Sequence, residues 1–242
     1  MENNLKKKLK EVELVIFDLD GTLIDSNGAS NYLDIKLAHM LGETKIREEI
    51  IQERDEFFKR NKEGDIYLNY CDFLKKKYNS NLEKEEILKI RRELSKKIAK
   101  DIKLKPDVEK FVKNIRDKKI KTALATVSRR ETIDIYINEN ENIKNKCNLK
   151  DNFDIIVTKD DVKLKKPNPE VYNKIVKRFN IYDLSKYVII EDSLSGVMVA
   201  KNAQIDVISI YDKYSDKDRE QINKIANYRV RNYKELIESI EN

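Results

Sequence analysis

With 242 residues, 40% of them hydrophobic, the chain is long enough for one large domain or a core with a smaller companion, and apolar enough to bury a packed interior. Its 50 Lys and Arg against 44 Asp and Glu give a formal charge of +6, yet in KEEILKIRRELSKKIAKD (84–101) the two signs interleave at helical spacing, as on a solvated helix rather than in the gathered basic patch of a nucleic-acid module. No apolar run approaches bilayer length and MENNLKKKLKEVEL carries no apolar block with a cleavage site behind it, so the expectation is a cytoplasmic protein with neither a membrane nor a nucleic-acid partner.

The first strand-like run is LVIFD (14–18), and its mouth carries Asp18 and Asp20, two carboxylates that repel each other. From about Asp25 to about Lys103 no strand pattern occurs. NYLDIKLAHML, KIREEIIQERDEFFKR, IYLNYCDFLKKKY and EKEEILKIRRELSKKIAK carry the helical period, parted by turns around Gly42, Gly64 and Asn79 to Asn81. The pattern predicts an all-helical subdomain over 25–103, inserted into a core made of 1–24 and 104–242. Its Tyr and Phe residues read as its own core. His39, beside Leu37 and Met40, reads as structural; as the single histidine it leaves almost no material for a Ser-His-Asp triad or a multi-histidine metal site. Cys71 and Cys147 form no CxxC pair and read as reduced thiols.

Beyond the helical interval the pattern alternates. Val108, Phe111, Val112 and Ile115 recur at helical spacing, with Pro106 where a first turn tolerates it. The run IKTALAT (120–126) follows. NENENIKNKCNLKDN (138–152), polar and Asn-rich, reads as an extended loop with a helical turn at most. Next come FDIIV (153–157), a second amphipathic helix in PEVYNKIVKRF with Tyr172, Ile175, Val176 and Phe179 behind Asn168 and Pro169, then YVIIE (187–191) and DVISI (206–210). Continuous apolar strands alternating with helices indicate an α/β fold with a parallel sheet covered on both faces. Ligands of such sheets sit beyond the carboxyl ends of the strands.

Those ends carry chemistry. They deliver Asp18 and Asp20, then Thr126 and Ser128, then Lys166 in KLKKPNPE, then Glu191 and Asp192. Each has an ordinary explanation on its own: a lone D-x-D-G is met by turn capping around Gly21, Lys166 by a lysine-rich surface, and Glu191 with Asp192 by capping of the next helix. Together, four carboxylates at one rim require compensation, since each raises its neighbours' pKa. Mg²⁺ supplies it, because that ion takes one or two carboxylates and completes its shell with water and phosphate oxygens. Lys166 adds positive charge, and the Thr126 hydroxyl with backbone N–H groups at a helix start suits phosphate oxygens. Ser128 and Glu131 fit an S-x-x-E capping box.

DLDGT, a strand ending in Thr with VS after it, KKPNPEVY and IIEDSLSG, in that order, resemble the four motifs of the haloacid dehalogenase superfamily. The resemblance implies a Rossmann-like core with the helical interval as an inserted cap. It implies that Asp18 is the nucleophile forming an aspartyl-phosphate and Asp20 the general acid and base. Thr126 and Lys166 would hold the phosphoryl group, Gly21, Val127 and Ser128 would line the substrate site, and Asp18, the Asp20 carbonyl, Glu191 and Asp192 would bind Mg²⁺. Asp20 favours phosphate over halide. The chain departs from the family at Lys165, where Gly is common, and at Ala203 and Gln204, where A-G is common. Sugar-phosphate mutases of the superfamily commonly carry His at the position of Ser30. The expected activity is therefore Mg²⁺-dependent hydrolysis of a small phosphorylated metabolite, with a sugar-phosphate mutase or a non-catalytic binding protein as alternatives.

Overall fold

The apolar positions Leu5, Leu9 and Val12 fall on one face of helix α1 (Glu2–Glu11) or just beyond it, and all three are buried. Lys8, on the same helix, is buried too. Its Nζ donates to the Ser185 carbonyl at 2.7 Å and lies 2.7 Å from the Asp206 carboxylate, which satisfies the charge. The computed structural model describes residues 2–61, 63–164 and 168–241. The chain divides into two compact units, Met1–Ser26 with Asp101–Asn242, and Asn27–Lys100.

Strand β1 (Leu14–Phe17) is fully buried on both faces, as four successive apolar residues require. The second unit follows and is wholly helical, with α2 (Asn27–Met40), α3 (Arg47–Arg60), α4 (Ile66–Lys77) and α5 (Lys84–Asp101). Its core is Leu33, Leu37, Tyr70, Cys71, Leu74 and Ile87, with Phe57, Phe58 and Phe73 packed against them. Within it Asp34, 2% exposed, accepts from Arg91 Nε at 3.0 Å and lies 3.5 Å from Arg54, so this buried carboxylate is paired. The loop between α2 and α3 is held by Glu43, which accepts from the amides of Thr44 and Lys45, from Lys77 and from the Tyr78 hydroxyl.

The first unit resumes with α6 (Val108–Asp117), whose Val108, Phe111, Val112 and Ile115 are all buried. The helix starts two residues after Pro106 and not at it: Asp107 takes φ +65° at the N-cap, a left-handed geometry that Asp tolerates better than most side chains. Then come β2 (Lys121–Ala125), α7 (Arg130–Asn138), α8 (Glu141–Cys147), α9 (Leu149–Asn152) and β3 (Ile155–Val157). The Asn-rich segment is therefore two short helices and not an extended loop. Its asparagines are caps: Asn140 Oδ1 accepts from the Ile143 amide and Asn148 Oδ1 from the Lys150 amide, while Ile143, Cys147 and Leu149 are buried.

The chain ends with α10 (Glu170–Phe179), β4 (Tyr187–Glu191), α11 (Leu194–Asn202), β5 (Asp206–Ile210), α12 (Arg219–Ile225), β6 (Tyr228–Val230) and α13 (Tyr233–Glu241). The six strands pair in parallel in the order β3-β2-β1-β4-β5-β6, a Rossmann-like sheet that places β1 between β2 and β4. The sixth strand, Tyr228, Arg229 and Val230, lacks the apolar run that marks the other five. The two passages between the units are tied together on the core side. The Asp25 amide donates to the Lys103 carbonyl and the Lys105 amide to the Leu23 carbonyl, both at 2.9 Å, and Ile24 bridges Leu104 antiparallel. Asn140 Nδ2 and Asn142 Oδ1 clamp the Ile102 carbonyl and the Leu104 amide.

Candidate active site

The carboxyl end of β1 runs straight into Asp18, whose amide continues the ladder by donating to the Ile190 carbonyl of β4 at 3.0 Å. Asp18 is 6% exposed. The chain then reverses through Gly21, φ +83°, whose amide donates to the Ile24 carbonyl at 2.9 Å. A side chain there would be strained, so the turn that follows Asp20 and leads to Ile24 needs glycine.

Asp20 is oriented by three hydroxyls. Ser26 donates to its Oδ1 at 2.6 Å, and Ser128 and Thr126 donate to its Oδ2 at 2.8 and 3.3 Å. The last two come from the turn after β2, so residues more than a hundred positions apart meet. Thr126 also accepts from the Ser128 amide at 3.0 Å. Ser128 does not open a capping box: the N-cap of α7 is Arg129, with no side-chain cap bond, and the Ser128 hydroxyl donates to Asp20. Val127, between them, is half exposed. Nearby, burial and the charge of Asp20 push the Tyr136 phenol up, which keeps it neutral.

The end of β4 supplies Glu191, fully buried, and Asp192, 2% exposed. Glu191 Oε2 accepts from the amides of Asp192 and Ser193 at 2.9 and 3.0 Å and from the Ser193 hydroxyl at 3.0 Å. Ser193 Oγ in turn accepts from the Gly196 amide, capping α11. Glu191 thus braces a helix start and faces the acidic cluster at once. Asp192 Oδ1 accepts from the buried Thr22 hydroxyl at 3.1 Å, and Tyr233 steadies Thr22 by donating to its carbonyl at 3.2 Å.

These elements converge. One carboxylate oxygen from each of Asp18, Glu191 and Asp192 lies within 4.8 Å of the other two, all three residues being buried. Burial first, then the charges of Glu191 and Asp212, push the Asp192 carboxyl well above the usual range. An all-oxygen, multiply anionic donor set of this kind suits a hard divalent cation such as Mg²⁺. The Asp20 carboxylate is turned toward its hydroxyl partners, which leaves the backbone carbonyl as the donor expected of that residue. Lys166, expected at the phosphoryl group, and its neighbour Lys165 lie outside the described residues.

Thr22, Ser26 and Gly196 were not among the expected site residues. Thr22 stands within the DLDGT run, Ser26 four residues after it, and Gly196 closes IIEDSLSG, so proximity to the motif residues was the available signal. Removing one hydroxyl from Asp20 by Ser128→Ala is expected to lower kcat about tenfold with little change in thermal stability, the loss of one positioning hydrogen bond. An unchanged kcat would separate Ser128 from the orientation of Asp20.

The chain matches the haloacid dehalogenase-like hydrolase family over residues 12–204. That span includes both acidic pairs and the turn bearing Thr126. The chain belongs to this hydrolase family. It is 30% identical over 198 residues to a phosphorylated carbohydrates phosphatase of Thermotoga maritima, covering 81% of this chain and 84% of that protein. It also resembles a Thermotoga maritima structure provisionally named beta-phosphoglucomutase, with a TM-score of 0.74 and 27% identity over 93% of this chain and 97% of that one. CbbY from Rhodobacter sphaeroides, solved in complex with phosphate, shares the fold at a TM-score of 0.68 and 21% identity, covering 96% and 100% of the two chains. Among the described residues no helix is long and apolar enough to cross a membrane.

Proposed function

We propose that this hydrolase is a Mg²⁺-dependent phosphatase acting on small phosphomonoesters, phosphorylated carbohydrates among them, through an aspartyl-phosphate on Asp18. The convergence of Asp18, Glu191 and Asp192 beside a hydroxyl-oriented Asp20 supports this reading most directly. The name of the 30% identical Thermotoga relative supports the phosphatase side and the carbohydrate class.

In the first step an Asp18 oxygen attacks phosphorus, a P–O bond to the leaving alcohol breaks, and Asp20 in its protonated form gives its proton to the departing oxygen. In the second, Asp20 takes a proton from water as that water attacks phosphorus, which releases inorganic phosphate and restores the Asp18 carboxylate. Thr126, Ser128 and the backbone of Gly21 and Val127 line the phosphoryl position, and Lys166 carries the balancing positive charge. Mg²⁺ held by Asp18, the Asp20 carbonyl, Glu191 and Asp192 would neutralise charge on the phosphoryl oxygens. Both cysteines are buried free thiols, and burial pushes Cys71 up to about 11 and Cys147 up to about 12, so neither competes as a nucleophile. A reducing, cytoplasmic setting agrees with that.

A screen of phosphorylated metabolites with and without Mg²⁺ tests the reading. Phosphate release from at least one small monoester is expected, abolished by EDTA and restored by excess Mg²⁺. Full turnover in EDTA would overturn the metal's role. The neighbour provisionally named beta-phosphoglucomutase favours a mutase as the second reading. Turnover that transfers phosphate between sugar positions only when primed by a sugar bisphosphate would establish it.

A further inference from the structure

Beside the acidic cluster, just past the carboxyl end of β5, stands a partly buried ion pair that no motif contains. Lys105 Nζ lies 2.7 Å from Asp212 Oδ2 and 3.4 Å from the Tyr211 carbonyl. Asp212 is 4% exposed and the Lys105 side chain 14%. Both ends are fixed by backbone bonds. The Lys105 amide is tied to the Leu23 carbonyl, in the loop that carries Asp20 and Thr22. Asp212 Oδ1 accepts from the Tyr214 amide at 2.9 Å, and its carbonyl accepts from Arg219 at 2.8 Å. Strand pairing brings this corner next to the cluster, because β4 and β5 are in register at Glu191 and Ser209. Thr22, the residue before Leu23, donates its hydroxyl to Asp192 Oδ1 at 3.1 Å, so the loop that anchors Lys105 also bonds a carboxylate of the cluster.

We propose that Lys105 and Asp212 are positioning residues that set the affinity of the Asp18, Glu191 and Asp192 cluster for its divalent cation. Neither touches the cation or the substrate. A cation approaching three buried carboxylates feels every fixed charge nearby, and inside a protein that field falls off far less than in water. The paired charges nearly cancel. Each one alone would not, so the two members act on cation affinity with opposite signs. The lysine comes from the passage at 102–105 and the aspartate from the turn after β5, so the pair also locks the loop bearing Asp20 and Thr22 against the sheet. This inference rests on the metal reading above.

The test is cation binding measured directly, by calorimetry with Mg²⁺ and by Mn²⁺ paramagnetic resonance, on the full chain without substrate. Lys105→Met removes a positive charge and is expected to tighten binding by ~3- to 10-fold; Asp212→Asn removes a negative one and is expected to weaken it by a similar factor. The double variant should return close to the parent value, and Lys105→Arg should leave it unchanged. A purely structural role would weaken binding in both single variants. Shifts of the same sign, or none, in a protein whose parent form binds the cation would overturn the proposal alone. Absence of cation binding by the parent protein would overturn the metal reading and this proposal with it. Should Lys105→Met not fold, Lys105→Gln takes its place, because only tighter binding on loss of the positive charge separates the proposal from a structural role.

Discussion

Asp18→Asn is expected to lower phosphatase turnover by at least about 10³-fold while leaving the fold intact, since a carboxamide of the same shape cannot form the acyl phosphate. The same substitution carries a second signature. Asp18, Glu191 and Asp192 crowd their oxygens within 4.8 Å, so removing one charge relieves like-charge repulsion and should raise the Tm of the cation-free protein. The Tm gain on adding Mg²⁺ should shrink correspondingly, because a ligand that binds only the folded state stabilises in proportion to its affinity. Differential scanning fluorimetry with and without Mg²⁺ reads both effects. A cation-free Tm that falls sharply would mean that Asp18 is held by structural bonds whose loss outweighs the repulsion.

Gly196→Ala is expected to cost about 3 kcal/mol of stability and to weaken Mg²⁺ binding by at least about tenfold. A Cβ at this helix position would lie 1.6 Å from Glu191 Oε1 and 1.8 Å from its Cδ, so either the carboxylate or α11 must move. Neither moves freely. Glu191 is fully buried and accepts three hydrogen bonds through Oε2, and the helix start is pinned by Ser193. The close approach explains why IIEDSLSG ends in glycine: the α11 backbone must let the buried Glu191 carboxylate lie against it. Urea unfolding and a Mg²⁺ titration of the same variant check the two halves. A stable protein with undiminished cation affinity would show that Glu191 can relax out of the way and that its placement is not decisive.

The strands were legible wherever the sheet buries both faces. LVIF, YVIIE and DVISI are read almost residue for residue, because in a central parallel strand nearly every side chain meets the core. β6 was not, since a three-residue edge strand of Tyr228, Arg229 and Val230 buries only its last side chain and carries no apolar run. The segment at 138–152 misled through composition. Asparagine is a poor helix interior residue but a good cap, and Asn140 and Asn148 are used as caps for helices too short to show a period. α1 escaped for a similar reason, its core residues Leu5 and Leu9 being diluted among lysines, one of which is itself buried and paired.

At the site, the motif residues were legible because the chemistry restricts their type. Asp18, Asp20, Thr126, Ser128, Glu191 and Asp192 are brought together, with Ser128 bonded to Asp20 rather than capping a helix. The supporting shell was not legible. Lys105 and Asp212 stand 107 positions apart, and nothing local to either distinguishes a buried salt bridge from the many surface lysines and aspartates around it. That information is in the packing, since it depends on which loop the β4 to β5 register sets beside which turn.

The most direct measurement traps the covalent intermediate. The enzyme is mixed with a turned-over phosphomonoester and Mg²⁺, quenched in acid during turnover, and reduced with borohydride, which converts an acyl phosphate to an alcohol and thus aspartate to homoserine. Peptide mapping should find homoserine at position 18 and nowhere else. Steady turnover with Asp18 unmodified, or with the label on another carboxylate, would contradict nucleophilic catalysis by this residue.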